Sequence, residues 1–309
     1  MKGLILFKKR EEELIPHHYA ILRLLKAGKL LGHDIKVVCP EQFELVVTRG
    51  DRKSILIDGK SEALPQYVLP RMGSETTYFG LAVIRQLEKL GVYCCNSSSS
   101  IERVRDKLHV YQILAQSNLP TPRAMMAKFP VDLEVVKREI GFPVVIKNII
   151  GTRGEGIYLC ESDDRFLDLM ELIYSYNQQA NIILQEYISS SHGKDLRVFV
   201  IGGRVVGCMQ RKSRSGFKAN YSLGASVEPF PLSEEIKWLA IETARLMDLD
   251  IAGVDLLFDN DGFKICEANS APDFEGLEKV VGNHIAENIL DYIANRTSRC
   301  VEEDRCVAL

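Results

Sequence analysis

The chain has 309 residues, 46% hydrophobic and 26% charged, which suits two or three compact lobes with a large core and excludes a disordered chain. Its net charge of −3 supplies no general attraction to nucleic acid or to an anionic membrane, so any basic site has to be local. The eight cysteines show no repeated CxxC and no histidine-paired spacing, which argues against a zinc site and for buried thiols in a reducing, cytoplasmic compartment.

The first apolar run, GLILF at 3–7, is too short for a signal segment or a membrane span and reads as a strand. A helical pattern over 18–31 and the strand HDIKVVC at 33–39 follow, the start of a parallel βαβ arrangement. The strand YVLPR at 67–71, a helix over 76–90 and the strand VYCCN at 92–96 complete an α/β domain spanning 1–97. No GxGxxG follows the first strand, which disfavours dinucleotide binding there. The serine run at 97–100 reads as a turn before one helix through 101–116, and the breaker NLPTP then leads to the apolar strand PVVIKNI at 143–149.

A lobe over 98–185 closes on the strand NIILQEYI. The last lobe, 186–297, holds a hairpin over 195–211 turning at Gly202-Gly203, a helix over 234–247, the strand IAGVDLLFD, a tight turn at 259–262, the strand FKICEAN and a closing helix over 283–293. Residues 298–309 remain as a tail.

Pairing two strands about the 259–262 turn brings Asp255 near Glu267, and the period of two puts Glu267 and Asn269 on one face. Two carboxylates and an amide oxygen suit a hard divalent cation held together with phosphate. A solvent-facing polar hairpin is the alternative, but both acids sit in apolar runs, where an unpaired carboxylate is costly. Lys147 precedes Gly151-Thr152-Arg153-Gly154-Glu155-Gly156, a loop whose backbone can approach phosphate oxygens; a plain glycine-rich hairpin turn stays open as well. The backbone of Gln185-Glu186-Tyr187-Ile188 can read an adenine edge, or the segment is an ordinary strand end. Basic residues gather between Arg197 and Lys218, either as a solvated face or, for Arg197 and Arg211, as partners of phosphate or carboxylate.

With these residues in view, the chain resembles the ATP-grasp ligases, and among them the RimK-like glutamate ligases. The resemblance runs through PRMG, RDKLH, VVIKN, GTRGEGI, LQEYI, GKDLRVFVIGGRVVG, FKANYSLG, IAGVDLLF and EANSAPDFEGLEK, from about Tyr67 to Ile293. It implies an α/β and α+β architecture: an N-terminal pre-ATP-grasp α/β domain and two lobes clasping ATP. It further implies that Lys107 and Lys147 contact nucleotide phosphates, Glu186 and Tyr187 the adenine, and Asp195 the ribose. Arg211 resembles the arginine that steadies the transferring phosphate, and Lys218-Ala219-Asn220 stands where the family has a nucleotide-contacting Arg-Ser-Asn. Asp255, Glu267 and Asn269 match the family's metal ligands.

The implied reaction is ATP-dependent amide formation through an acyl-phosphate, with Mg²⁺ or Mn²⁺, two ions. The expected amine is glutamate, with Arg71 and Arg197 facing its carboxylates; the acceptor is the carboxylate of a protein C-terminus, a peptide or a small acid. A homo-oligomer is expected, with no nucleic-acid or membrane partner. Segment 220–224 resembles the branch making β-citrylglutamate and N-acetylaspartylglutamate, whereas GLEKVVG resembles the protein-glutamylating branch. A non-catalytic ATP-binding sensor and a ligase for another amino acid are the competing readings.

Overall fold

The computed structural model describes residues 1–47, 55–149, 156–282 and 284–307, with the backbone alone for 299–307. The chain opens with strand β1 (Lys2–Leu6), helix α1 (Tyr19–Leu30), β2 (Asp34–Val38), the short pair β3 (Phe43–Leu45) and β4 (Ile55–Ile57), then β5 (Tyr67–Pro70), α2 (Tyr78–Lys89) and β6 (Tyr93–Cys94). β2, β1, β5 and β6 form a parallel sheet in that order. Ligand sites in such sheets lie beyond the carboxyl ends of the strands, and that edge is where Lys8 follows β1 and Arg71 follows β5.

The helix expected over 101–116 is two helices, α3 (Ser98–Arg105) and α4 (Lys107–Gln116). Asp106 breaks them apart: its backbone is extended (φ −88°, ψ 100°) and its carboxylate accepts from the His109 N–H at 3.0 Å, capping α4. The serine run is likewise not a turn before the helix but its first turn, with Ser97 accepting from the Ser100 N–H at 3.2 Å.

The second sheet is built from β7 (Ala124–Met126), β8 (Val144–Asn148), β9 (Ile157–Cys160) and β10 (Ile182–Glu186), with α5 (Leu133–Glu139) and α6 (Asp163–Tyr176) on it. Its order is β7-β10-β8-β9, antiparallel throughout. Its core, around Val136, Ile146, Phe166, Met170 and Leu184, is its own.

The third sheet comprises β11 (Lys194–Ile201), β12 (Arg204–Lys212), β13 (Ser226–Pro229), β14 (Ile251–Asp259) and β15 (Gly262–Asn269), in the order β13-β12-β11-β14-β15. Between β11 and β12, Gly202 and Gly203 have φ of 55° and 72°, the left-handed pair that a tight hairpin turn requires. Helix α7 (Glu234–Leu246) covers one face together with α4, through Val110, Leu114, Leu239 and Ala240.

The other face packs under α8 (Glu275–Val281) and α9 (Ile285–Val307), and there one apolar core also takes in Ile5, Ile21 and Leu24 of the first domain. Arg23 on α1 crosses this joint to Glu278 (2.8 and 3.0 Å) and Glu287 (2.8 Å), while the Tyr19 hydroxyl donates to Glu278 at 2.8 Å. The buried Asn96 amide adds three bonds, to Ile251 N, Ile251 O and the Ser270 carbonyl, at 2.9, 2.7 and 2.6 Å. Among the described residues, no helix is long and apolar enough to cross a membrane.

Candidate functional site

Strand register assembles the centre of the site. Across β12, β11, β14 and β15, Arg211 stands opposite Asp195, Arg197 opposite Asp255, and Asp255 opposite Glu267. Residues two apart share a face, so the acids and arginines alternate over neighbouring strands on one side of the sheet. Arg197 grips Asp255 through Nε and, at 2.8 Å, Nη2. Arg211 holds Asp195 through two bonds of 2.7 Å and reaches Asp255 at 2.9 Å. Burial raises the pKa of a carboxyl group, but for Asp255 the two guanidiniums outweigh it and hold the group below the usual carboxylate range. Asp195 has one arginine and lies beside Asp255; burial dominates and pushes its pKa up.

Among the described residues Glu267 has one ion pair, with Lys107 at 3.7 Å, and Asn269 turns Nδ2 onto the Gly253 carbonyl at 3.2 Å, which leaves Oδ1 as an acceptor. No group of three or more His, Cys, Asp or Glu side chains converges among the described residues. The hairpin's two carboxylates and one amide are therefore the candidate donor set, and hard oxygens of this kind fit Mg²⁺. Glu267 and Asn269 are the freer ligands, because Asp255 already accepts from two arginines.

The lysines come from the neighbouring elements. Lys107 opens α4 behind its Asp106 cap. Lys147, on β8, is buried, its Nζ 3.5 Å from the Tyr111 hydroxyl and 3.6 Å from Cys266 Sγ. Burial opposes its charge, but Cys266, Tyr111 and Glu267 around it outweigh burial and raise its pKa. The Tyr111 hydroxyl lies 2.6 Å from Gln185 Oε1 and 2.9 Å from the Cys266 carbonyl, so one phenol links α4, the second sheet and β15. The sequence reading missed Tyr111, although it stands four residues after Lys107 and thus on the same helical face. Gly151, Thr152, Arg153 and Gly154 lie outside the described residues; Gly156 has φ 66°, and an added Cβ would come within 2.8 Å of Asn148 Nδ2.

Beyond β10, the Glu186 carboxylate accepts from the Arg123 N–H at 3.0 Å and from Lys264 at 3.3 Å, contacts that no local pattern reveals. The Tyr187 hydroxyl pairs with His192 Nδ1, and Ile188 is buried. Lys218 Nζ sits 5.7 Å from the Tyr158 ring centroid, Ala219 is buried, and Asn220 leads into a single tight turn that ends at Gly224. Arg71 is buried and donates from Nη2 to the Pro272 carbonyl at 2.6 Å.

Every described candidate, Gly156 excepted, lines one cleft of about 800 Å³ walled by all three sheets, a volume typical of a small-molecule site. Arg204 is exposed at the far hairpin turn and does not line it.

A fold of this kind, with a cleft of cations and acids between two antiparallel sheets, is that of the ATP-grasp proteins. Solved structures with the same fold include the ATP-grasp ligase PsnB complexed with minimal precursor, Mg and ADP (TM-score 0.70, 22% identity, 96% of this chain and 98% of that one). Another is the D-alanine–D-alanine ligase of Bacillus anthracis (TM-score 0.68, 15% identity, 98% and 99%). The model of the RimK-like ATP-grasp domain matches residues 104–293, and that of the RimK pre-ATP-grasp domain residues 11–101. The chain belongs to the RimK-like ATP-grasp family. Its relatives include proteins named probable alpha-L-glutamate ligase from Marinomonas sp., 37% identical over 90% of this chain and 92% of that one, and from Legionella pneumophila, 35% identical over 91% and 93%.

Proposed function

We propose that this protein is an ADP-forming ligase that joins L-glutamate to a carboxylate acceptor, a protein C-terminus, a peptide or a small acid. The observation that carries the reading is the meeting, in one cleft, of Lys107 and Lys147 with the cross-strand pair Asp255 and Glu267. The glutamate assignment draws its support from the names of relatives aligned over most of the chain.

In this reading the acceptor carboxylate attacks the γ-phosphorus of ATP, forming an acyl-phosphate and releasing ADP. The amine of glutamate then attacks the acyl carbon; the amide bond forms, phosphate leaves, and the amine loses a proton. Lys107 and Lys147 hold phosphates, and Gly151, Thr152, Arg153, Gly154 and Gly156 are further nucleotide-contacting residues. Glu186, Tyr187 and Ile188 border the base and Asp195 the ribose, while Lys218, Ala219 and Asn220 flank the nucleotide. Lys147 and Arg211 offset charge on the transferring phosphoryl group, where most catalysis in such reactions comes from positioning and electrostatics. Glu267, Asn269 and Asp255 would hold Mg²⁺ or Mn²⁺, two ions, which would neutralise phosphate charge. Arg197 acts here through Asp255.

The test is phosphate release by purified protein with ATP and Mg²⁺, offered each amino acid against a panel of carboxylate acceptors and read in parallel by mass spectrometry. Release that requires glutamate, with a product heavier by one glutamyl residue, is expected. ATP binding without any amino-acid-dependent turnover would instead make the protein a nucleotide sensor.

A further inference from the structure

Among the described residues, four buried side-chain atoms have no hydrogen-bond partner: Arg71 Nε, Arg71 Nη1, Arg105 Nε and Ser270 Oγ. All three residues line the one cleft. Buried polar groups are nearly always paired, so a cluster of exceptions at one place calls for a ligand. Arg105 is partly exposed and can turn to water. Arg71 and Ser270 cannot, being 8% and 4% exposed.

Arg71 is an unusual buried cation. Among the described residues no carboxylate lies within ion-pair reach of it: Asp273 attracts it only from beyond that distance, and its close neighbours include the Pro272 carbonyl and the Phe274 ring, 5.8 Å from the guanidinium carbon. Burial lowers its pKa to about 10, so it stays protonated at neutral pH. Arg197 and Arg211, by contrast, already hold Asp255 and Asp195. A buried charge without a counter-ion is costly, and an anionic ligand removes that cost.

The position favours an organic carboxylate over a phosphate. Arg71 stands at the carboxyl edge of the parallel sheet, whereas the candidate phosphate lysines stand on α4 and β8. Each Nη nitrogen carries two hydrogens, so one edge of the guanidinium keeps both its donors while Nη2 remains on Pro272, an arrangement that matches a carboxylate. Ser270 follows Asn269 directly, on a segment that the Asn96 amide pins through the Ser270 carbonyl.

We propose that Arg71 and Ser270 together receive a carboxylate of the amino-acid substrate, fixing its amine for attack. This rests on the ligase reading above. It separates four of the chain's arginines: Arg71 binds substrate directly, Arg197 and Arg211 order Asp255 and Asp195, and Arg204 stands apart.

The full chain, saturated with Mg²⁺ and a non-hydrolysable ATP analogue, is titrated calorimetrically with L-glutamate, its α-amide and its γ-amide. Wild type is expected to bind glutamate about ten- to a hundredfold more tightly than at least one amide, and which amide fails identifies the carboxylate. Arg71→Met should weaken glutamate by a similar factor and abolish that discrimination, with the analogue's affinity unchanged within about twofold. Ser270→Ala, which leaves the guanidinium in place and guards against a folding defect in the first variant, should weaken glutamate about three- to tenfold. Equal wild-type binding of all three compounds, discrimination that survives Arg71→Met, or loss of nucleotide affinity in its place would overturn the proposal. The ligase reading is judged separately, by amino-acid-dependent phosphate release in wild type.

Discussion

The second sheet keeps its hydrophobic core to itself, around Phe166 and Ile146, whereas the parallel sheet and the five-stranded sheet share one that runs from Ile5 and Leu24 to Phe199 and Ile289. The shared joint is reinforced by the Arg23, Glu278 and Glu287 cluster and by the Asn96 amide. Large apolar interfaces fix domains, and lobes without one move by default. The cleft is thus built from one rigid wall carrying Arg71, Arg211 and Glu267 and one separately folded wall carrying Lys147 and Glu186. Such a division suits a site that must admit a nucleotide and then close on it.

The largest effects should come from the rigid wall. The strand pattern alone suggests that Asp255→Asn keeps the fold intact, but Asp255 neutralises the buried Arg211 and the largely buried Arg197. We expect this variant to lose activity and about 3–5 kcal/mol of stability together. Glu267→Gln, whose partner is one lysine at 3.7 Å, should cut kcat by about a hundredfold or more through lost metal contacts, with little change in Tm. Parallel kinetics and thermal melts check both, and an unaltered Tm for Asp255→Asn would break the view of that sheet face as an ionic core.

Next comes the joint. Burial raises the pKa of Glu278, but its bonds to Arg23 and Tyr19 outweigh this and hold it below the ordinary carboxylate range. A depressed folded-state pKa contributes stability at neutral pH that is lost as pH falls through it. Glu278→Gln should therefore destabilise the protein by roughly 3 kcal/mol near pH 7, and the two proteins should converge in acid. Denaturant melts across pH measure this; a constant difference down to acid pH would remove Glu278 from the account.

The smallest effect sharpens the comparison most. Phe166 is fully buried in the second sheet's own core. Phe166→Leu should cost about 1–2 kcal/mol, and hydrogen exchange should speed up in β8, β10 and α6 while β11 and β14 keep their protection. Acceleration spread evenly over all three sheets would mean that the walls unfold as one unit.

Patterns of short range were readable from the amino acids alone. Gly202-Gly203 announced a hairpin, and pairing about the 259–262 turn brought Asp255 near Glu267; regular alternation would set Cys266 opposite Asp255, and the register shift between Asp255 and Leu256 is what puts Glu267 there. Lys147 and the Glu186 segment stood out in apolar strands, and Lys107 through the family resemblance alone. Other features required the packed chain. The helical pattern over 101–116 was right in type, yet it ran through Asp106, whose capping bond broke it in two. Nothing local said that α4 would pack on the five-stranded sheet, nor that Tyr111 would link Lys147 to Gln185. The arginines carry the same lesson. Composition counts guanidiniums but not their partners, and only the tertiary structure spent Arg197 and Arg211 on internal acids while leaving Arg71 buried and open, bonded to a carbonyl 201 residues away. Register is a property of neighbours along a strand, whereas the pairing of a buried charge depends on which distant segment arrives beside it.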